Sequence, residues 1–194
     1  MYKRQALNIA KDIEVKTHVR PAFLLAILQE ELSLEKTDMC YMTNLKTGEG
    51  VRITDGKILQ KTMEPNRDVP KFLIITKELG LDPLKTQVTC PMSFGWGGAI
   101  GPADFIPSTW FMYRGKVEKI TGKSANPWNI QDALLAEGLF LSEAGARLQT
   151  RKGEWNAAMI YFSGSIKSPH TFYAEGAMDK ADQLQEKINI VETN

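Results

Sequence analysis

Two histidines and two cysteines in 194 residues leave little from which to build a metal centre. Neither Cys40 nor Cys90 stands in a Cys-x-x-Cys pattern or beside a histidine, so no zinc site and no cofactor are expected. The two cysteines can close one loop of roughly 50 residues, which as a disulfide would contribute about 3–4 kcal/mol; two buried free thiols are the alternative. An excess of positive charge is also missing. Lys plus Arg is 24 against 23 for Asp plus Glu, a net charge of +1, and a nucleic-acid surface would need a clustered basic surplus. No apolar run approaches the roughly 18 residues of a membrane span. The charged start Met1-Tyr2-Lys3-Arg4 has no apolar run behind it, so no secretory signal is read there. Internal repeats and low-complexity segments are absent too. What remains is ordinary globular composition, 43% hydrophobic and 24% charged, at a length suited to a single domain over residues 1–194.

The most unusual stretch is Gly95-Trp96-Gly97-Gly98-Ala99-Ile100-Gly101-Pro102-Ala103-Asp104-Phe105-Ile106-Pro107-Ser108-Thr109-Trp110, with four glycines and two prolines in sixteen residues. Glycine is used where the backbone turns through positive φ or is approached closely. Pro107 suits the first turn of a helix. The pattern predicts a loop along one side of a cleft, followed by a helix from about Pro107. Trp96, Phe105 and Trp110 offer flat apolar faces which, beside backbone amides, suit a sugar ring; a glycine-rich turn with core aromatics is the plainer reading.

Helical spacing places Leu24, Ile27, Leu28 and Leu34 on one face of a helix opening at Pro21, and Glu31 falls on that face. Glu30 sits about 100° further round. A carboxylate continuing an apolar stripe is unusual. If buried there, its charged form is disfavoured, and a Glu that holds its proton near neutrality can act as a general acid. An exposed residue at the helix end is the alternative.

Elsewhere, residues 2–15 carry a weak helical stripe, and His18 belongs to the connection after it, as a surface or capping residue. Residues 46–50 read as loop, and alternation around Asp55-Gly56 predicts a β-hairpin over residues 51–59. Asp68 is positioned to cap a helix that Gly80 ends. Gly122 closes the helix from Pro107, and Asn129 opens another with a broad apolar face through Ala133, Leu134, Ala136, Phe140 and Leu141. A last helix covers about residues 172–190.

The glycine loop resembles the Gly-Ala-Met-Gly-x-x-Gln-Phe-x-Pro-Ser motif of peptidoglycan lytic transglycosylases, particularly the membrane-bound lytic murein transglycosylase B type. Ile100 replaces Met and Asp104 replaces Gln. Ala26 to Leu34 is similar to the family segment in which a helix ends at a catalytic Glu-Ser pair, with Glu31 on the glutamate and Leu32 where Ser is usual. Residues 155–164 are similar to an Ala-x-x-x-Tyr-Asn segment, with Tyr161 on the tyrosine that reaches the glutamate and Phe162 in place of Asn. The resemblance covers the chain from about Pro21 to the last helix.

It implies a mainly α (α+β) fold, a lysozyme-like helical domain with a small β-hairpin wing. It implies non-hydrolytic cleavage of the MurNAc-β-1,4-GlcNAc bond, with Glu31 as acid and then base and a 1,6-anhydro product. Trp96, Gly97, Gly98, Ala99, Asp104, Tyr161 and Tyr173 would bind the glycan, Tyr173 closing one end of the groove. A Cys40–Cys90 bond would tie the Glu31 helix to the loop. The implied partner is the peptidoglycan glycan strand, met by a monomer in the periplasm or cell wall. An ionised Asp104 only accepts hydrogen bonds where Gln also donates. That opens a hydrolytic muramidase using Glu31 and a second carboxylate, Asp104 first and Asp55 or Asp68 less so, or a non-catalytic glycan-binding domain.

Overall fold

Apolar residues spaced at three and four positions build, among the described residues, seven α-helices beside a small antiparallel sheet of four strands. This is the mainly helical α+β class. The computed structural model describes residues 2–34, 38–92 and 95–193, and the side chains of 4–31, 38–92 and 95–193. The expected places of Leu32 and Leu34 on the second helix therefore lie outside the described side chains. The chain divides into two compact units: residues 1–33 with 134–194, and residues 34–133.

The first unit is helical. Helix α1 (Tyr2–Thr17) buries Ala10, Ile13 and Thr17. His18 follows it, exposed, in the left-handed region at φ 58°. Helix α2 (Pro21–Leu34) is buried from residue 21 through 27 on all sides rather than along one stripe, as expected of a helix apolar nearly all round. That is why Glu30 and Glu31 are both buried, each 8% exposed. Helix α5 (Ile130–Glu143) enters this unit at Leu134, and a Cβ on its Gly138 would come within 2.6 Å of Ile13, so the glycine lets α5 lie close on α1. A short 3-10 turn (Ala146–Leu148), α6 (Arg151–Ser163) and α7 (Phe172–Glu192) complete the unit. Arg20 grips the buried Glu154 of α6 through two bonds of 2.5 and 2.8 Å. Such a planar bidentate pair fixes orientation as well as charge.

The second unit holds the sheet, ordered β3-β2-β1-β4, with β1 at Met39–Asn44, β2 at Glu49–Arg52, β3 at Ile58–Leu59 and β4 at Val88–Thr89. The predicted hairpin is present, pairing Gly50 with Leu59 and Val51 with Ile58. The wing is larger than a hairpin, however. Residues 49–50 are strand rather than loop, and β1 pairs with both β2 and β4. Cys40 and Cys90 are bonded, with 5.1 Å between their Cα atoms. The bond joins β1 to the residue after β4 within this unit, rather than tying α2 to the loop. Helices α3 (Val69–Glu78) and α4 (Pro107–Thr121) of the same unit pack on each other, α4 ending at Gly122 in the left-handed conformation as expected. Asp68 stands at the start of α3 without capping it. Its buried carboxylate instead accepts from the Ser108 amide at 2.9 Å, in the first turn of α4, and from Arg67 at 2.8 Å. Asn129 does cap α5, accepting from the amides of Gln131 and Asp132.

Candidate functional site

In the first unit α7 brings a hydroxyl to Glu31, and Tyr161 of α6 acts through its charge on the same phenol. The Tyr173 hydroxyl on α7 donates to Glu31 Oε1, although 142 residues separate the two. Tyr173 is 1% exposed. Its burial, then the charge of Glu31, then that of Tyr161, hold the phenol well above its ordinary pKa, so it remains a donor. Phe162 stacks on Tyr173 with ring centres 4.7 Å apart. Tyr161, on α6, sets its ring edge-on to Phe140 of α5 at 5.1 Å.

Glu30, one position earlier, has another fate. Lys180 of α7 pairs with it at 2.6 Å, and a Cβ at Gly176 would stand 2.4 Å from its Oε1. Gly176 is thus the notch that admits Glu30 to a neutralised pair, whereas Glu31 meets a neutral hydroxyl.

A fourth residue was not anticipated. Glu137 of α5 has no exposed surface, and neither carboxyl oxygen has a hydrogen-bond partner among the described residues. Its pKa is raised well above the usual carboxylate range, first by burial and then by the charge of Glu31. Glu137 carries the same signal as Glu31: it lies three and four positions from Leu134 and Ala133 on one side and from Phe140 and Leu141 on the other. A carboxylate inside that apolar face should have been read as a candidate.

The glycine loop lies in the second unit and keeps Trp96, Gly97, Gly98, Ala99 and Asp104 together on one segment. Trp96 is 38% exposed, its ring against Gly48. The amides expected to meet a sugar are already donated within the protein: Gly97 to the Lys61 carbonyl, Gly98 to the Thr89 carbonyl, and Ala99 to the Thr89 hydroxyl. The close approach that glycine permits here is to the protein's own backbone. A Cβ on Gly97 would lie 2.5 Å from the Thr89 carbonyl oxygen, and one on Gly101, at φ +69°, 2.0 Å from that of Pro127. Asp104 occupies the left-handed region at φ 47° in a turn closed by its own amide on the Gly101 carbonyl, where Ile100 bridges Phe105. A short polar side chain such as Asp tolerates that conformation better than most.

No family model, curated protein or solved structure matches this chain. Among the described residues no cluster of three or more His, Cys, Asp or Glu is arranged to hold a metal ion, and no helix is long and apolar enough to cross a membrane. The chemistry available in the first unit is therefore that of a partly accessible carboxyl, a phenol locked as a donor, and a second carboxyl sealed from water.

Proposed function

We propose that this protein is a peptidoglycan lytic transglycosylase with Glu31 as its acid and base. The observation that carries the reading is Glu31 itself, a carboxyl almost sealed in the apolar body of α2 yet 8% exposed and held in one orientation by the Tyr173 hydroxyl. A binding groove has no use for such a group. A general acid must be desolvated, oriented and still within reach of substrate. In the proposed reaction Glu31 gives its proton to the glycosidic oxygen as the bond to MurNAc C1 breaks. The sugar's acetamido group stabilises the developing cation. The ionised Glu31 then takes the proton of the 6-hydroxyl as that oxygen closes on C1, giving the 1,6-anhydro product without water. In the second unit taken by itself, exposed Trp96 offers a flat face suited to a sugar ring, and Asp104 is the polar group of its loop.

The proposed partner is a glycan strand outside the cytoplasm, where the Cys40–Cys90 bond would persist. A hydrolytic route needs a second carboxylate that can reach water. Glu137, which feels the charge of Glu31, is sealed from solvent and does not supply that carboxylate.

The test is mass spectrometry of muropeptides released from purified peptidoglycan by the protein and by Glu31→Gln. Anhydro products that disappear in the variant are expected. Reducing-end products, heavier by one water, would establish a muramidase instead, and release of neither by a folded protein would leave a glycan-binding domain.

A further inference from the structure

We propose that Phe172, Phe162 and His170 form a platform on which one sugar ring of the glycan strand stacks, in contact with the tyrosine that holds Glu31. The proposal rests on the transglycosylase reading above and names a subsite for it. All of these residues belong to the first unit. Four rings are joined there. Phe162 lies face to face with Tyr173, ring centres 4.7 Å apart and planes 14° from parallel. Phe172 meets Phe162 edge-on at 5.3 Å. His170 stands edge-on to both, 6.4 Å from Phe162 and 6.2 Å from Phe172. The cluster is graded in exposure. Tyr173 is 1% exposed and bonded to Glu31, Phe162 and His170 are half-buried, and Phe172 is 51% exposed. One run of touching rings thus leads from the acid to solvent.

The connection that carries the cluster is tied down. Helix α6 ends at Gly164 in the left-handed conformation. Behind it the Ser163 hydroxyl donates to the Met159 carbonyl, Ser165 Oγ accepts from the Lys167 amide, and Ser168 Oγ accepts from the His170 amide. A platform fixed beforehand loses little freedom when a ligand lands on it. A lone exposed phenylalanine is ordinary. Phe172 is instead the outer ring of a cluster whose inner ring orients the acid. The size of the face selects the occupant. A whole aromatic side chain presents about 150–250 Å². Phe172 shows half of its surface, against the roughly 800 Å² that each side of a stable protein interface buries. A pyranose fits such a face, laying its C–H side on the ring while its hydroxyls stay in water. Binding energy gathered there, away from the bond that breaks, holds that bond in place at Glu31.

Phe172→Leu keeps an apolar side chain at this exposed position and removes the ring. The probe is the N-acetylglucosamine tetramer, a soluble stand-in for the β-1,4 backbone of the strand. Titrated with it, the unaltered protein should show shifted Phe172 ring signals by NMR, and the leucine variant should bind about five- to tenfold more weakly. Phe172→Trp should restore the affinity. In muropeptide release the leucine variant should raise KM by a similar factor and leave kcat unchanged, the signature of binding shared by substrate and transition state. Equal affinity in parent and leucine variant, or no binding of the tetramer by the parent, overturns the platform. Self-association of the parent that the leucine substitution abolishes overturns it too, by giving the face to a second copy. The platform and the transglycosylase reading fail separately. If Glu31→Gln still releases anhydro products, the role of Glu31 fails and the tetramer titration still decides the platform. If release depends on Glu31 while Phe172→Leu binds and reacts as the parent does, the platform alone fails.

Discussion

In the second unit the amides of Gly97, Gly98 and Ala99 all find acceptors nearby, and Asp68 is held between Arg67 and the start of α4. In the first unit a carboxyl is left with two buried oxygens and no hydrogen-bond partner among the described residues, and it feels the charge of Glu31. The loop that looks most functional in sequence is, at its glycines, a tightly satisfied piece of scaffold. The helices that look like plain core carry the unbalanced electrostatics. Buried polar groups are normally satisfied, so the exceptions point to chemistry, and Glu137 on α5 is the carboxyl whose two oxygens are both left without a hydrogen-bond partner among the described residues.

The largest effect expected from this contrast is on activity. Glu31→Gln should lower anhydro-product release by about 10²–10⁴-fold while changing the thermal midpoint little, as quantified muropeptide yields and a melting curve would show. A variant that keeps its activity would erase the distinction between the units. Next, reducing the Cys40–Cys90 bond should cost about 3–4 kcal/mol in urea titrations, because a closed loop of that length restrains the unfolded chain. Gly101→Ala follows at about 2–3 kcal/mol, from a Cβ driven into the Pro127 carbonyl at a backbone angle that side chains resist. A neutral outcome would mean that the loop is less tightly held than its hydrogen bonds imply.

The smallest effect has the opposite sign. Glu137→Leu should stabilise the fold by about 1–3 kcal/mol at pH 7, by removing an unsatisfied buried carboxyl. The pH dependence follows from the raised pKa of Glu137. Below about pH 4.3 the group is protonated in both folded and unfolded states and adds no slope. As the pH rises from there towards the raised folded value, only the unfolded chain gives up its proton, so the parent protein loses stability and the leucine variant does not. Melting curves from pH 4 to 8 should therefore diverge with increasing pH. Parallel curves would mean that Glu137 is not buried as a neutral acid.

The helices, their glycine and asparagine punctuation and the Asp55-Gly56 hairpin were legible in the sequence because each depends on residues within a few positions of one another. Strands β1 and β4 were not, because β4 has only two residues, too few for alternation, and its partner lies almost fifty positions earlier. Glu31 was visible as a carboxylate on an apolar stripe. Glu137 offered the same clue, as a carboxylate within the apolar face of Ala133, Leu134, Phe140 and Leu141. The glycine loop shows the converse limit. Composition said correctly that something comes very close to Gly97 and Gly101, and it could not say that the something is the chain's own backbone. Asp68 was placed correctly at a helix start, but its acceptor went to a different helix, a choice only tertiary packing makes.

The first unit is assembled from two separated lengths of chain, and this has a consequence during synthesis. Residues 34–133 emerge as one uninterrupted segment and have all of their own unit before α6 and α7 exist. Glu31 must wait for Tyr173, 142 residues later, which at ribosomal speeds of about 5–20 residues per second is a delay of about 7–28 seconds. Through that interval α2, among the most apolar segments of the protein, lacks the helices that will cover it. The nascent chain thus exposes a strongly apolar helix for many seconds, and this is the stage at which a chaperone would have something to hold.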